Sequence, residues 1–263
     1  MSPSPQPLPE GQTRQALARM TAALGEPHRD LVILGEGNTS MRVDEERFLV
    51  KASGHGFQGI TGEGFVCMRF APILALLDSD EDVDEARLMA TYGSAKDDPE
   101  DSRRPSVETV FHAGLLQLPG VQAVAHTHPT AINALSCCQQ WPAAFQGRCF
   151  PDEAVVCGPE TVLVDYLDPG VALARAVVGA AEAYVQRHGQ APKMLVMRNH
   201  GLIVCGADAA ECERITAMAV KAARIRAGAL ASGGLTTLDE ATTAHLLARP
   251  DEKYRQRQLA GNS

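Results

Sequence analysis

Two pairs of short apolar runs, each joined by a turn of a few residues, constrain this chain most. Met41-Arg42-Val43 and Phe48-Leu49-Val50 flank the acidic turn Asp44 to Glu46, and residues 193–197 are parted from Leu202-Ile203-Val204-Cys205 by little more than Asn199-His200-Gly201. Such runs bounded by turn residues read as strands, and at this spacing they pair as hairpins. Residues 65–70, 121–128, 155–157 and 161–164 read as further strands. Apolar residues at helical spacing predict helices over 13–24, 71–77, 105–118, 130–137, 171–188, 208–230 and 237–248. The intervening segment 78–104 is strongly charged and reads as mostly solvated. The expectation is one mixed α and β domain over residues 13–263, an antiparallel sheet covered by helices, preceded by a flexible leader over 1–12.

Composition narrows the function classes. The chain has 263 residues, 45% hydrophobic and 21% charged, which suits a globular protein with one sizeable core. No apolar run approaches the roughly 18 residues of a membrane helix. The start MSPSPQPLPEGQ lacks the basic and apolar parts of a signal peptide, so a cytoplasmic location is expected. A net charge of -8 offers no general attraction to nucleic acid or to an anionic membrane, leaving a small molecule as the expected partner. Seven cysteines without a CxxC pair fit a reducing compartment, and the adjacent Cys137 and Cys138 have no nearby residues to complete a metal site.

The chemistry concentrates in Ala125-His126-Thr127-His128-Pro129. Residues i and i+2 of a strand share a face, so His126 and His128 converge within reach of one ion, although paired histidines also occur as hydrogen-bonded or surface groups. His200, before Gly201 at a strand end, is the candidate third ligand; the alternative is a turn histidine bonded to backbone. Three histidines with an open position are a common catalytic zinc arrangement. Glu108, placed in the first turn of a helix capped by Ser106, suits proton transfer beside a metal, or simply complements the helix dipole. His112, one turn later, either pairs with Glu108 or meets solvent. The glycine-rich stretches 35–40 and 53–62 allow close backbone approach to a ligand, and Lys51 and His55 flank the second of them.

Taken in order, Gly37-Asn38-Thr39-Ser40, Ser53-Gly54, Pro105-Ser106-Val107-Glu108, His126-Thr127-His128-Pro129 and Asn199-His200-Gly201-Leu202 resemble the class II aldolase/adducin family over about residues 13 to 230. The resemblance implies a three-layer α/β/α sandwich with a central, mainly antiparallel sheet, assembled as a homotetramer with active sites at subunit interfaces. It also implies zinc or another divalent ion on His126, His128 and His200, and proton transfer by Glu108. Gly37, Asn38, Ser53, Gly54 and Ser106 would cradle a substrate phosphate. The activity so implied is a lyase that cleaves a small ketose or ketose phosphate by a retro-aldol step through a metal-bound enediolate. A sugar-phosphate epimerase, an oxo-acid phosphate decarboxylase, a dehydratase and a non-catalytic scaffold like adducin are the alternatives.

Two departures from the family pattern stand out. Val107 occupies the place where sugar-phosphate aldolases of this kind often carry a second serine. The tyrosine acid of fuculose-phosphate aldolases, about twenty residues beyond the histidine pair, is matched here by Phe145, Gly147 and Phe150. Tyr254 is a candidate to reach a neighbouring subunit's site, or a solvated tail residue.

Overall fold

The structure, a computed structural model, describes residues 8–79 and 83–251. Seven strands form one sheet in the order β3-β2-β1-β4-β7-β6-β5. They are β1 (Asn38–Arg42), β2 (Arg47–Lys51), β3 (Phe65–Arg69), β4 (Ala123–Thr127), β5 (Val162–Val164), β6 (Met194–Met197) and β7 (Gly201–Gly206). Every pairing is antiparallel except that of β5 with β6. Both expected hairpins form, β1 with β2 and β6 with β7.

Helices cover both faces, which makes the three-layer α/β/α sandwich. On one side α2 (Phe70–Asp78), α3 (Glu85–Ala95), α4 (Thr109–Leu115) and α7 (Val171–His188) bury Phe48, Val50, Val66, Val124 and Ile203. On the other, α1 (Glu10–Leu24), α5 (Thr130–Ser136), α6 (Pro151–Cys157) and α8 (Ala209–Ala231) bury Leu49, Phe65, Ala125, Leu202 and Val204. Neighbouring strand residues such as Phe48 and Leu49 go to opposite cores because successive side chains alternate across a strand. With no face left to water, the strands read as nearly continuous apolar runs. The last helix, α9 (Glu240–Ala248), packs against α6.

Several elements differ from expectation. Residues 155–157 are helical: Pro151 at the first position and Asp152 and Glu153 in the first turn favour a helix start and outweigh the β-branched valines. The charged segment 78–104 holds α3, whose N-cap Asp84 accepts from the Arg87 amide and whose Leu88 and Tyr92 are buried. Helix α4 spans only seven residues, with Glu108 at the N-cap position, and Val107 is 47% exposed instead of joining its apolar face. Helix α1 begins at Glu10, three residues before the expected start, while residues 1–7 of the expected leader and Tyr254 lie outside the described residues. Among the described residues no helix is long and apolar enough to cross a membrane.

Candidate metal centre

Strand register brings the site together at the middle of the sheet. Asn38 of β1 lies opposite His126 of β4, and His126 lies opposite Ile203 of β7. His128 follows the last residue of β4 and His200 precedes the first of β7, so two adjacent strand ends deliver three imidazoles to one place. One ring nitrogen from each lies within 4.8 Å of the others, a grouping able to hold a metal ion.

The hydrogen bonds around these rings decide which nitrogens are free. His126 Nδ1 donates to the Leu202 carbonyl at 2.9 Å, and His128 Nδ1 lies 3.2 Å from the Glu36 carboxylate. A carbonyl and a carboxylate can only accept, so both Nδ1 atoms carry the proton and each neutral ring keeps a lone pair at Nε2. Burial pushes His126 down to about 4 and also lowers His128, which keeps both rings neutral near pH 7. The two Nε2 atoms then face each other at 3.0 Å with no proton between them, a contact that a cation relieves.

Two glycines permit the close approach. A Cβ at Gly201 would stand 2.6 Å from the Thr127 carbonyl and 2.8 Å from His128 Cδ2, so the turn carrying His200 closes over β4 only without a side chain there. Gly37 has φ +71, and a Cβ on it would lie 2.7 Å from the His126 carbonyl. Asn133 of α5 donates to the His200 carbonyl at 3.0 Å and holds the same turn from the other side.

Glu108 comes in from the start of α4, 8% exposed. Its carboxylate makes no capping bond; Oε2 lies 3.3 Å from His126 Nε2 and Oε1 3.3 Å from His200 Nε2. Oε2 accepts from Asn38 Nδ2 at 2.7 Å, whereas Oε1 is buried without a hydrogen-bond partner. Burial favours the neutral carboxyl, but the His126 and His200 imidazoles beside it and the Asn38 amide together hold it below the usual carboxylate range. An orphaned carboxylate oxygen beside three clustered imidazole nitrogens fits a divalent cation by charge and by donor type.

His112 neither pairs with Glu108 nor meets solvent. Fully buried on α4, it lies with Nδ1 2.7 Å from Ser40 Oγ and hydrogen-bonds Asn38 Oδ1 through Nε2, while Asn38 Nδ2 also donates to Ser106 Oγ at 2.8 Å. Asn38, Ser106 and Glu108 therefore form one buried cluster with the histidines. Ser53 and Gly54 are not bonded into it, but the bridge between Ala52 and Pro105 sets their exposed turn beside Ser106. Gly54 has φ +80 in that turn. Lys51 is buried, bonds the His55 carbonyl and is pushed down to about 8 by burial; its ammonium sits 5.6 Å from the Phe57 ring centre. A cleft of about 430 Å³ opens beside His128, lined in part by Val32, Ile33, Glu36, Asn133 and Cys137, room enough for a small metabolite. Glu36 and Asn133 are the participants that sequence reasoning missed. For Glu36 the available signal was its place between Gly35 and Gly37.

Comparison with known proteins bears on this geometry. The family model described as Class II Aldolase and Adducin N-terminal domain matches residues 15–227. The chain belongs to the class II aldolase and adducin family. It is 29% identical over 191 residues to an uncharacterized oxidoreductase, YuxG, of Bacillus subtilis (strain 168), covering 69% of this chain. The match spans only 25% of the length of that relative. It is 26% identical over 181 residues to a 3-oxo-tetronate 4-phosphate decarboxylase of Haemophilus influenzae, covering 68% of this chain and 71% of that protein. The solved structure of an L-fuculose 1-phosphate aldolase superposes with a TM-score of 0.68 at 18% identity, covering 93% of this chain and 96% of that one, and so shares the fold.

Proposed function

We propose that this class II aldolase family member is a divalent-metal-dependent lyase, zinc being the expected ion, that breaks a carbon–carbon bond in a small sugar or sugar phosphate. The observation that carries the reading is the convergence of one nitrogen each from His126, His128 and His200 beside the buried Glu108 carboxylate, whose Oε1 has no hydrogen-bond partner. His126, His128 and His200 are the residues to hold the ion. When bound, such a cation polarises a chelating carbonyl and stabilises the negative charge left when the bond breaks.

The chain's own groups do the rest. Glu108 Oε1, free of donors, is the atom placed to give or take a proton at the reacting carbon, and Asn38 steadies the other oxygen. Ser106 Oγ already accepts from Asn38 and from the Glu108 amide, so its own proton is left for an acceptor on the substrate. The Gly37 segment and the exposed turn at Ser53 and Gly54 complete an anion cradle beside it, the glycines allowing a phosphate to approach the backbone closely. The cleft beside His128 receives the remainder of the substrate.

Decarboxylation of an oxo-acid phosphate is the second reading, carried to this chain by its similarity to the Haemophilus influenzae decarboxylase. Loss of carbon dioxide from a carboxylate requires no proton transfer on the departing fragment, which agrees with Phe145 and Phe150 standing where a tyrosine acid was expected. Assembly as a homotetramer, and residues 13–263 acting as one domain, belong to the same proposal.

Elemental analysis of tag-free protein, compared with His126→Ala, tests the common part. About one divalent ion per chain that disappears in the variant is expected; a parent that binds none even after zinc is restored sinks both readings. Product analysis on ketose phosphates and oxo-acid phosphates then separates them, two carbonyl fragments against carbon dioxide.

A further inference from the structure

We propose that His112 is a positioning residue: it fixes which way round the Asn38 amide lies, and through that amide it aims the Glu108 carboxylate at the three histidines. The placement follows from the sheet. Asn38 and Ser40 are two apart on β1, so both side chains face the α4 layer, and the register of β1 on β4 sets Asn38 against His126. His112 comes down from α4 between them and bonds both.

Each proton in this cluster is determined by the next group. Asn38 turns its NH2 toward the Glu108 carboxylate, whose Oε2 accepts from it. The two N–H bonds of that group then serve Glu108 Oε2 and Ser106 Oγ, at 2.7 and 2.8 Å. Oδ1 consequently faces His112 Nε2, which must carry a hydrogen to meet it. A neutral ring with its proton at Nε2 has a lone pair at Nδ1, and Ser40 Oγ, 2.7 Å away, must be the donor there. The chain runs one way, from Ser40 through His112 and Asn38 to Glu108.

Reversal would be costly. A ring protonated at Nδ1 would donate to Ser40 and present a lone pair to Asn38, turning the amide so that Oδ1 met the Glu108 carboxylate, oxygen against oxygen, in a site closed to water. The ring is fully buried and stacks on Phe111 with centroids 4.8 Å apart, so no water is at hand to substitute for either bond. With Oε2 tied to Asn38, Oε1 remains the oxygen presented without a donor near His200. His126 and His128 donate outward from Nδ1 to orient their lone pairs inward; His112 does the comparable service for the carboxylate, at one residue's remove.

The test has one arm independent of turnover and one that rests on the lyase reading. Full-length protein with 15N-labelled histidine rings is examined metal-free and zinc-loaded near pH 7, His112 being assigned by its loss in His112→Gln. The neutral Nε2–H form is expected in both states. An Nδ1–H ring or an imidazolium overturns the inference, and this arm needs no variant but the glutamine. In the kinetic arm, His112→Phe is expected to lower kcat about 10- to 100-fold with KM within about twofold, the scale of losing a group that orients a working residue. His112→Gln, whose side-chain N–H can reach Asn38 Oδ1, recovers most of it, and both variants retain the metal content of the parent. An equal kcat loss in the two variants, or an unchanged kcat in His112→Phe, overturns the proposal; so does loss of metal in His112→Phe, which would put the effect on the ligands. A parent that turns over no substrate defeats the lyase reading alone, because the ring tautomer still decides this one.

Discussion

The behaviour of the site rests on two residues that no ligand need touch. Gly201 is one: with a Cβ forced to within 2.6 Å of the Thr127 carbonyl, Gly201→Ala must push the His200 turn away from β4. The expected outcome is at least about a 10-fold weaker affinity for zinc, on the scale of disturbed ligand orientation, read by competition with a chromophoric chelator. His112 is the other. Burial pushes its folded value down to about 3, against roughly 6.5 for an unfolded histidine. The unfolded chain therefore takes up a proton below about 6.5 that the folded chain refuses until about 3, so this stability is complete above the upper value and is lost as the pH falls toward the lower one. In metal-free protein, His112→Gln should flatten the fall in unfolding free energy between these limits by up to about 1.4 kcal/mol per pH unit, measured by urea titration. An unchanged slope would mean the ring is solvated in the folded chain. Most of the histidine cluster was legible in sequence because His126 and His128 sit two apart on a strand and His200 abuts a glycine. Glu36 and Asn133 were not, since they reach their histidine partners across 92 and 67 residues, a separation that local pattern does not encode.

At the scale of elements, local periodicity succeeded where a strand or helix carries its own pattern and failed where packing decided. The hairpins, α7 and α8 stood out by turn residues and apolar spacing. Helix α3 was hidden because Leu88 and Tyr92, its buried stripe, are embedded among charges. Helix α6 was misread from its valines because its anchor lies elsewhere: Glu153 accepts from Arg226 at 2.8 Å and from the Cys149 amide at 2.7 Å, and lies 3.4 Å from Arg148. All three charged side chains are at most 3% exposed, and the two guanidiniums also bind carbonyls of residues 144, 146, 147, 157 and 158. One carboxylate thus ties α6, α8 and the irregular segment before α6 together. Removing its charge strands two buried cations, so Glu153→Gln should cost about 3–5 kcal/mol in denaturant unfolding. A loss below about 1 kcal/mol would show that the carbonyls alone satisfy the arginines.

For the molecule as a whole, the three-histidine group links parts of the chain that only the complete sheet brings together. Its histidines come from the end of β4 and the turn before β7, its carboxylate from the start of α4, and the amide steadying that carboxylate from β1. An unfolded chain holds His126 and His200 at no fixed distance, so an ion bound by all three imidazoles binds the folded state almost exclusively. Its free energy of binding is then added to the stability of the fold, about 2.7 kcal/mol when free metal stands at 100 times its dissociation constant. Thermal unfolding of the parent in chelator and in excess zinc should differ by several degrees, since 1 kcal/mol moves the midpoint of a domain this size by about 2–4 °C. His126→Ala should abolish the difference while melting near the chelated parent. A zinc-induced rise that survived in that variant would locate the stabilising ion elsewhere on the chain. No rise in the parent would mean that the three imidazole nitrogens, though close together, do not make a site of useful affinity.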